Sequence, residues 1–247
     1  MAAFAGLIWL SLSAVATVFG GFVILVNACL WTLVDFLRGI NQCNRGGELL
    51  LRGEVAQAAD VFDEMCRSGR NATWHALPVF NRGTAYMREG RHRRALSLFN
   101  AVRHSGRFDR GATTGLAEVM TGYASVLVGE LDLAERLLAE GERKLKRENG
   151  QALVFPRAAL FARRGELGAA RAYIAEHHRE LVTGEATKRA LRLLWAWLAR
   201  EDVAGDPEEA RRLEDGLYPI EPGEFDWVGT EWPEIASYAA AVGRRLS

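Results

Sequence analysis

Four glycines, Gly53, Gly90, Gly129 and Gly165, each stand five residues before an alanine and nine before a large apolar residue. The alanines are Ala58, Ala95, Ala134 and Ala170, and the large residues are Phe62, Phe99, Leu138 and Ile174. Residues four apart share a helix face, and glycine tolerates the left-handed backbone of a tight turn. Each unit therefore predicts a turn followed by a helix bearing a small-then-large stripe. Seven residues before each turn stands another small residue, Gly46, Gly83, Gly122 or Ala158, where a preceding helix can be approached closely. Three residues further on the bulky partner is Leu49, Tyr86 or Phe161, with Ser125 breaking the pattern in the third unit. The turn glycines are 37, 39 and 36 residues apart. A period in this range marks stacked helical pairs, so the chain is expected to be all-α.

The clearest unit covers residues 81–99, where Gly83, Tyr86 and Gly90 are followed by Ala95 and Phe99. Gly-x-x-Tyr-x-x-x-Gly followed by Ala-x-x-x-Phe at these offsets resembles the tetratricopeptide repeat. The resemblance covers roughly residues 39–180 and departs from the family in its longer period, about 34 being usual, and in lacking the proline that closes each unit. It implies paired helices stacked into a superhelix, a concave groove lined by the first helix of each pair, and work in protein interaction rather than catalysis. Carried across residue by residue, the groove positions are Leu77, Phe80, Thr84 and Met87 in the second unit, Leu116, Val119, Tyr123 and Val126 in the third, and Phe155, Ala159 and Ala162 in the fourth. That lining is mainly apolar and lacks the Lys and Asn set that grips a terminal carboxylate in chaperone-binding members of the family. It suits an amphipathic helix, from a protein or peptide partner or from this chain's own tail.

The first 34 residues carry no charged side chain. The apolar run over residues 4–34 exceeds the roughly 20 residues that cross a bilayer, and predicts a transmembrane helix. As one straight helix it would reach about 46 Å, more than a hydrocarbon core of about 30 Å needs, so tilt, a bend near Gly20 and Gly21 or interfacial ends must absorb the excess. A cleaved signal peptide would need a basic start and a shorter apolar core. No Lys or Arg precedes the span, whereas Arg38, Arg45 and Arg52 follow it, which places the carboxy-terminal side in the cytoplasm by the positive-inside rule. The expected organisation is an anchor over residues 1–37, four repeats over 38–182, a fifth helix pair over 183–217, and an acidic irregular segment with a capping helix over 218–247. Of 31 basic residues only Lys144, Lys146 and Lys188 are lysine, a bias that fits a GC-rich bacterial genome and hence a bacterial inner membrane.

Formal net charge is zero, which gives no support to generic attraction for nucleic acid. Charge is nevertheless unevenly spread. Residues 82–110 hold eight arginines against Glu89 and Asp109, and residues 200–234 hold twelve acidic residues against three arginines. Arg88, Arg91, Arg93 and Arg94 form a basic patch suited to anionic lipid or an acidic partner, each lipid-facing Arg contributing about 1 kcal/mol. The acidic tail can compete for that surface. Three cysteines without CxxC spacing argue against a disulfide framework or zinc site. There is no phosphate loop, nucleophile elbow, His-Glu-x-x-His or dinucleotide fingerprint, so neither catalysis, cofactor nor metal is expected. His177 and His178 are adjacent and diverge by about 100° on a helix, poorly placed to share a metal. The reading is a membrane-anchored scaffold or adaptor; the alternatives are an extracytoplasmic (for example periplasmic) assembly factor with the same repeat domain, or a subunit of an enzyme complex.

Overall fold

Positive backbone φ angles at Gly53, Gly90, Gly129 and Gly165, between 72° and 88°, close four helical hairpins in the computed structural model of the chain. Residues 2–68, 72–177, 185–200, 207–215, 217 and 224–246 are described. Among them the chain is helical, without strands. The helices are α1 (Ala2–Leu51), α2 (Val55–Ser68), α3 (Ala72–Arg88), α4 (His92–Ser105), α5 (Leu116–Val128), α6 (Leu131–Lys144), α7 (Val154–Arg163), α8 (Leu167–His177), α9 (Glu185–Ala199), α10 (Pro207–Asp215), α11 (Asp226–Glu231) and α12 (Pro233–Leu246). Short 3₁₀ turns at Gly111–Thr113 and Arg147–Leu153 precede α5 and α7. Two units are distinguished, residues 1–44 and 45–247.

In the first unit, α1 is long and apolar enough to cross a membrane. Its described large side chains, among them Phe22, Ile24, Leu25, Leu30 and Trp31, are exposed, as a lipid-facing helix requires. Two polar side chains along it turn back on their own backbone: Asn27 Nδ2 donates to the Val23 carbonyl at 2.9 Å and Thr32 Oγ1 to that of Ala28 at 2.8 Å. These two donors thereby find acceptors without water.

In the second unit, the end of α1 pairs with α2, α3 with α4, α5 with α6 and α7 with α8. The small residues are the reason the pairs close. A Cβ added at Gly46 would fall 2.4 Å from the Phe62 ring, one at Gly83 2.7 Å from Phe99, and one at Gly122 2.9 Å from Leu138. Ala58, Phe62, Ala95, Phe99, Ala134, Leu138, Ala158, Ala170 and Ile174 are all fully buried. The expected small-then-large stripes are thus the seams of the hairpins. One continuous core runs from α3 and α4 through α5, α7 and α9 to the carboxy-terminal helices.

The tail departs from expectation. Residues 224–231, expected to be irregular, include the helix α11, whose Trp232 N–H donates back to the Val228 carbonyl at 2.8 Å. Its position also differs from that of an end cap: α11 packs against α3, in the second hairpin, and α12 against α9. His178 lies outside the described residues.

Candidate functional site

The last turn of α3, the middle of α5 and the start of α7 bring Arg88, Tyr123 and Phe155 to one place, and α9 adds Trp197. All four face the segment that carries Trp227, Glu231 and Trp232. The Tyr123 hydroxyl donates to Glu231 Oε2 at 2.7 Å and accepts from Trp232 Nε1 at 3.0 Å. Arg88 lies 3.3 Å above the Trp227 ring, and its Nη1 is 3.5 Å from Glu231 Oε1, a charge contact without hydrogen-bond alignment. The Phe155 ring meets Tyr123 edge-on at 5.7 Å and Trp232 at 5.8 Å, and Trp197 meets Trp232 edge-on at 6.2 Å. Such edge-to-face contacts orient aromatic rings more precisely than area burial alone.

Two further ion pairs flank this centre. Arg163 Nη1 contacts Glu234 Oε1 at 2.7 Å, and Arg189 grips Glu224 with both Nε and Nη2 while its Nη2 also donates to the Leu217 carbonyl at 2.7 Å. Trp232, Val228, Ile235 and Val242 are buried to within 1% of complete.

Glu231 is 4% exposed. Burial pushes its carboxyl above the ordinary range, and the nearby Arg88 charge and the Tyr123 hydrogen bond only partly pull it back. Burial, and then the Glu231 charge, hold the Tyr123 phenol far above its usual value, so it remains a donor. The cluster is suited to holding an indole beside a carboxylate. Among the described residues, no three His, Cys, Asp or Glu side chains gather as a metal site.

Of the eleven positions expected to line the groove, Tyr123 and Phe155 meet the tail, while Ala159 is fully buried and Ala162 packs against the core. Val119 instead faces α6 within its own hairpin, where a Cβ on Gly141 would come 2.6 Å from it. Met87 and Val126 are core residues, 1% and 0% exposed. Phe80 stacks on Phe108 at 4.4 Å and tilts against Phe99 at 5.2 Å, and Leu77 and Leu116 pack on the cluster around Ala76 and Phe108. Thr84 returns its hydroxyl to the Phe80 carbonyl at 3.4 Å. Helices with neighbours on several sides bury most of their apolar residues, and the family register does not separate those contacts from an open face. Among the described residues of 45–247, no large hydrophobic side chain is exposed. The tail, one of the occupants expected for the groove, meets it at Tyr123 and Phe155, while most of the other expected positions are packed in the core.

The basic patch also divides. Arg88 belongs to the tail's seat. Arg91 pairs with Glu89 at 3.0 Å and lies over the Tyr86 ring at 4.6 Å, with Arg82 on the same ring at 4.3 Å. Arg93 and Arg94 are exposed and, with Gly90, Arg91, His92, Leu127 and Val128, line an open depression of about 540 Å³. Glu231 and its two tryptophans were not singled out from the sequence. The opposite charge excesses of residues 82–110 and 200–234 were the available signal for them.

Comparison of the chain with protein-family models, with characterised proteins and with solved structures finds no match. The repeat reading therefore rests on the residues of this chain.

Proposed function

We propose that the chain is a membrane-anchored interaction scaffold. The amino-terminal helix crosses the bilayer, the hairpins form a tetratricopeptide-like solenoid on its cytoplasmic side, and the surface along their first helices holds a protein segment near the membrane. Anchoring serves such a scaffold by raising the effective concentration of whatever it binds. One observation carries the reading: Arg88, Tyr123 and Phe155, from the first helices of three successive hairpins, converge on a single peptide segment. A stack of hairpins that seats its own tail by side chains from consecutive units has the geometry of a peptide receptor. The arginines that follow the anchor support the cytoplasmic orientation.

Crosslinking in intact membranes followed by purification tests the reading. Wild type is expected to yield a defined protein partner, and Arg88→Glu with Phe155→Ala to lower its yield at least tenfold, with helical content unchanged. Equal yield from both chains, or no partner from wild type, overturns it. A reporter fused after Ser247 is expected to be active only in its cytoplasmic format, and activity in the exported format overturns the orientation.

A further inference from the structure

The groove residues discriminate among possible occupants. The Tyr123 hydroxyl has one proton to give and gives it to Glu231, while a lone pair receives the Trp232 indole N–H. Arg88 lies over the Trp227 ring and meets the Glu231 carboxylate at 3.5 Å. An occupant without the carboxylate would leave the largely buried Arg88 charge without its acid, and one without the indole N–H would leave the buried Tyr123 hydroxyl half satisfied; both losses are costly. The rim adds charge selection through Arg163 and Arg189, which meet Glu234 and Glu224. The groove thus reads an acidic segment with tryptophans five residues apart and a glutamate directly before the second.

Resting on the scaffold reading, we infer that the partner is a protein segment of this chemistry, and that it enters by exchange with residues 224–246. Unassisted release would uncover Val228, Trp232, Ile235 and Val242, all buried in the core, so the groove stays closed at rest. Exchange is different, because the incoming segment buries equivalent groups as the tail leaves. The balance then falls on the rim pairs, of which Arg163–Glu234 is the more open: the Glu234 side chain is 43% exposed, against 19% for Glu224. A partner that offers better-placed acids to Arg163 and Arg189 wins the site.

The test uses the full-length chain in nanodiscs, with a protease site introduced within residues 218–223. After cleavage, a labelled synthetic peptide of residues 224–247 is added. It is expected to enter the nicked chain and to be chased by unlabelled peptide. The peptide carrying Glu231→Ala and Trp232→Ala should bind at least tenfold more weakly, and the uncut chain should take up at least tenfold less label. No uptake, uptake indifferent to the two substitutions, or collapse of helical content on cleavage overturns the inference. Without cleavage, full-length chain carrying Glu224→Ala and Glu234→Ala should take up at least threefold more wild-type peptide than the unaltered chain; equal uptake overturns it. Failure here, with a crosslinked partner still recovered, removes the exchange inference alone. Loss of the partner, with peptide exchange intact, removes the scaffold reading.

Discussion

Glu231 holds a carboxylate where charge is expensive, facing Arg88, Tyr123 and Trp232. Because its folded value is raised, the folded chain keeps the proton over a window in which the unfolded chain has lost it. That contribution to stability is complete below the ordinary glutamate value of about 4.3 and is lost as pH rises through the raised one. Glu231→Gln imitates the protonated form and does not titrate. Wild type is therefore expected to lose stability relative to the Gln variant as pH climbs above about 4.3, with a flat difference below it; denaturant unfolding at several pH values reads this, and a pH-independent difference would contradict it. Gly83 supplies a second prediction. An alanine there presses a methyl against the Phe99 ring, and overpacking of this kind costs about 1–3 kcal/mol, less about 1 kcal/mol recovered from helix propensity. Phe99→Leu should relieve part of the clash, so the double variant is expected to lose less stability than the sum of the two single variants.

At the level of elements, α4 and α6 differ in the charge at their starts. Neither makes a side-chain cap, but Glu130 occupies the N-cap of α6 with Asp132 in its first turn, whereas α4 begins with Arg91 at the N-cap and has no acid in its first turn. Cations there oppose the helix dipole by about 0.3–1 kcal/mol each. Arg93→Glu should therefore stabilise the domain by a few tenths of a kcal/mol. If the patch contacts anionic lipid, Arg91→Glu, Arg93→Glu and Arg94→Glu together should also lower binding to anionic vesicles at low salt, and unchanged binding removes that contact. The hairpins were legible before the structure because their determinants are local: a turn glycine, an alanine five residues on and a large residue after it report one another through helical period. The seat of the tail was not, since Tyr123 and Glu231 are 108 residues apart and no periodicity links them. Helix α11 escaped notice for a related reason. Its six residues are too few to show a helical stripe, and it is held by contacts to α3.

For the molecule as a whole, apolar surface is concentrated on the amino-terminal helix. The exposed large hydrophobic residues among those described all lie within residues 22–37, and the described residues of 45–247 show none. A chain beginning at Arg38 is accordingly expected to stay in solution without detergent, while the full chain partitions into the detergent phase; phase separation followed by immunoblotting measures both. The aromatic cluster around Tyr123 has an optical consequence. Trp227 lies under a guanidinium, and Trp232 is enclosed by Phe155, Trp197 and a phenol, so two of the seven indoles report on the tail's seat. Departure of the tail would carry both into water and shift their emission to the red, so the intrinsic fluorescence of the unlabelled chain can follow opening of the groove in real time.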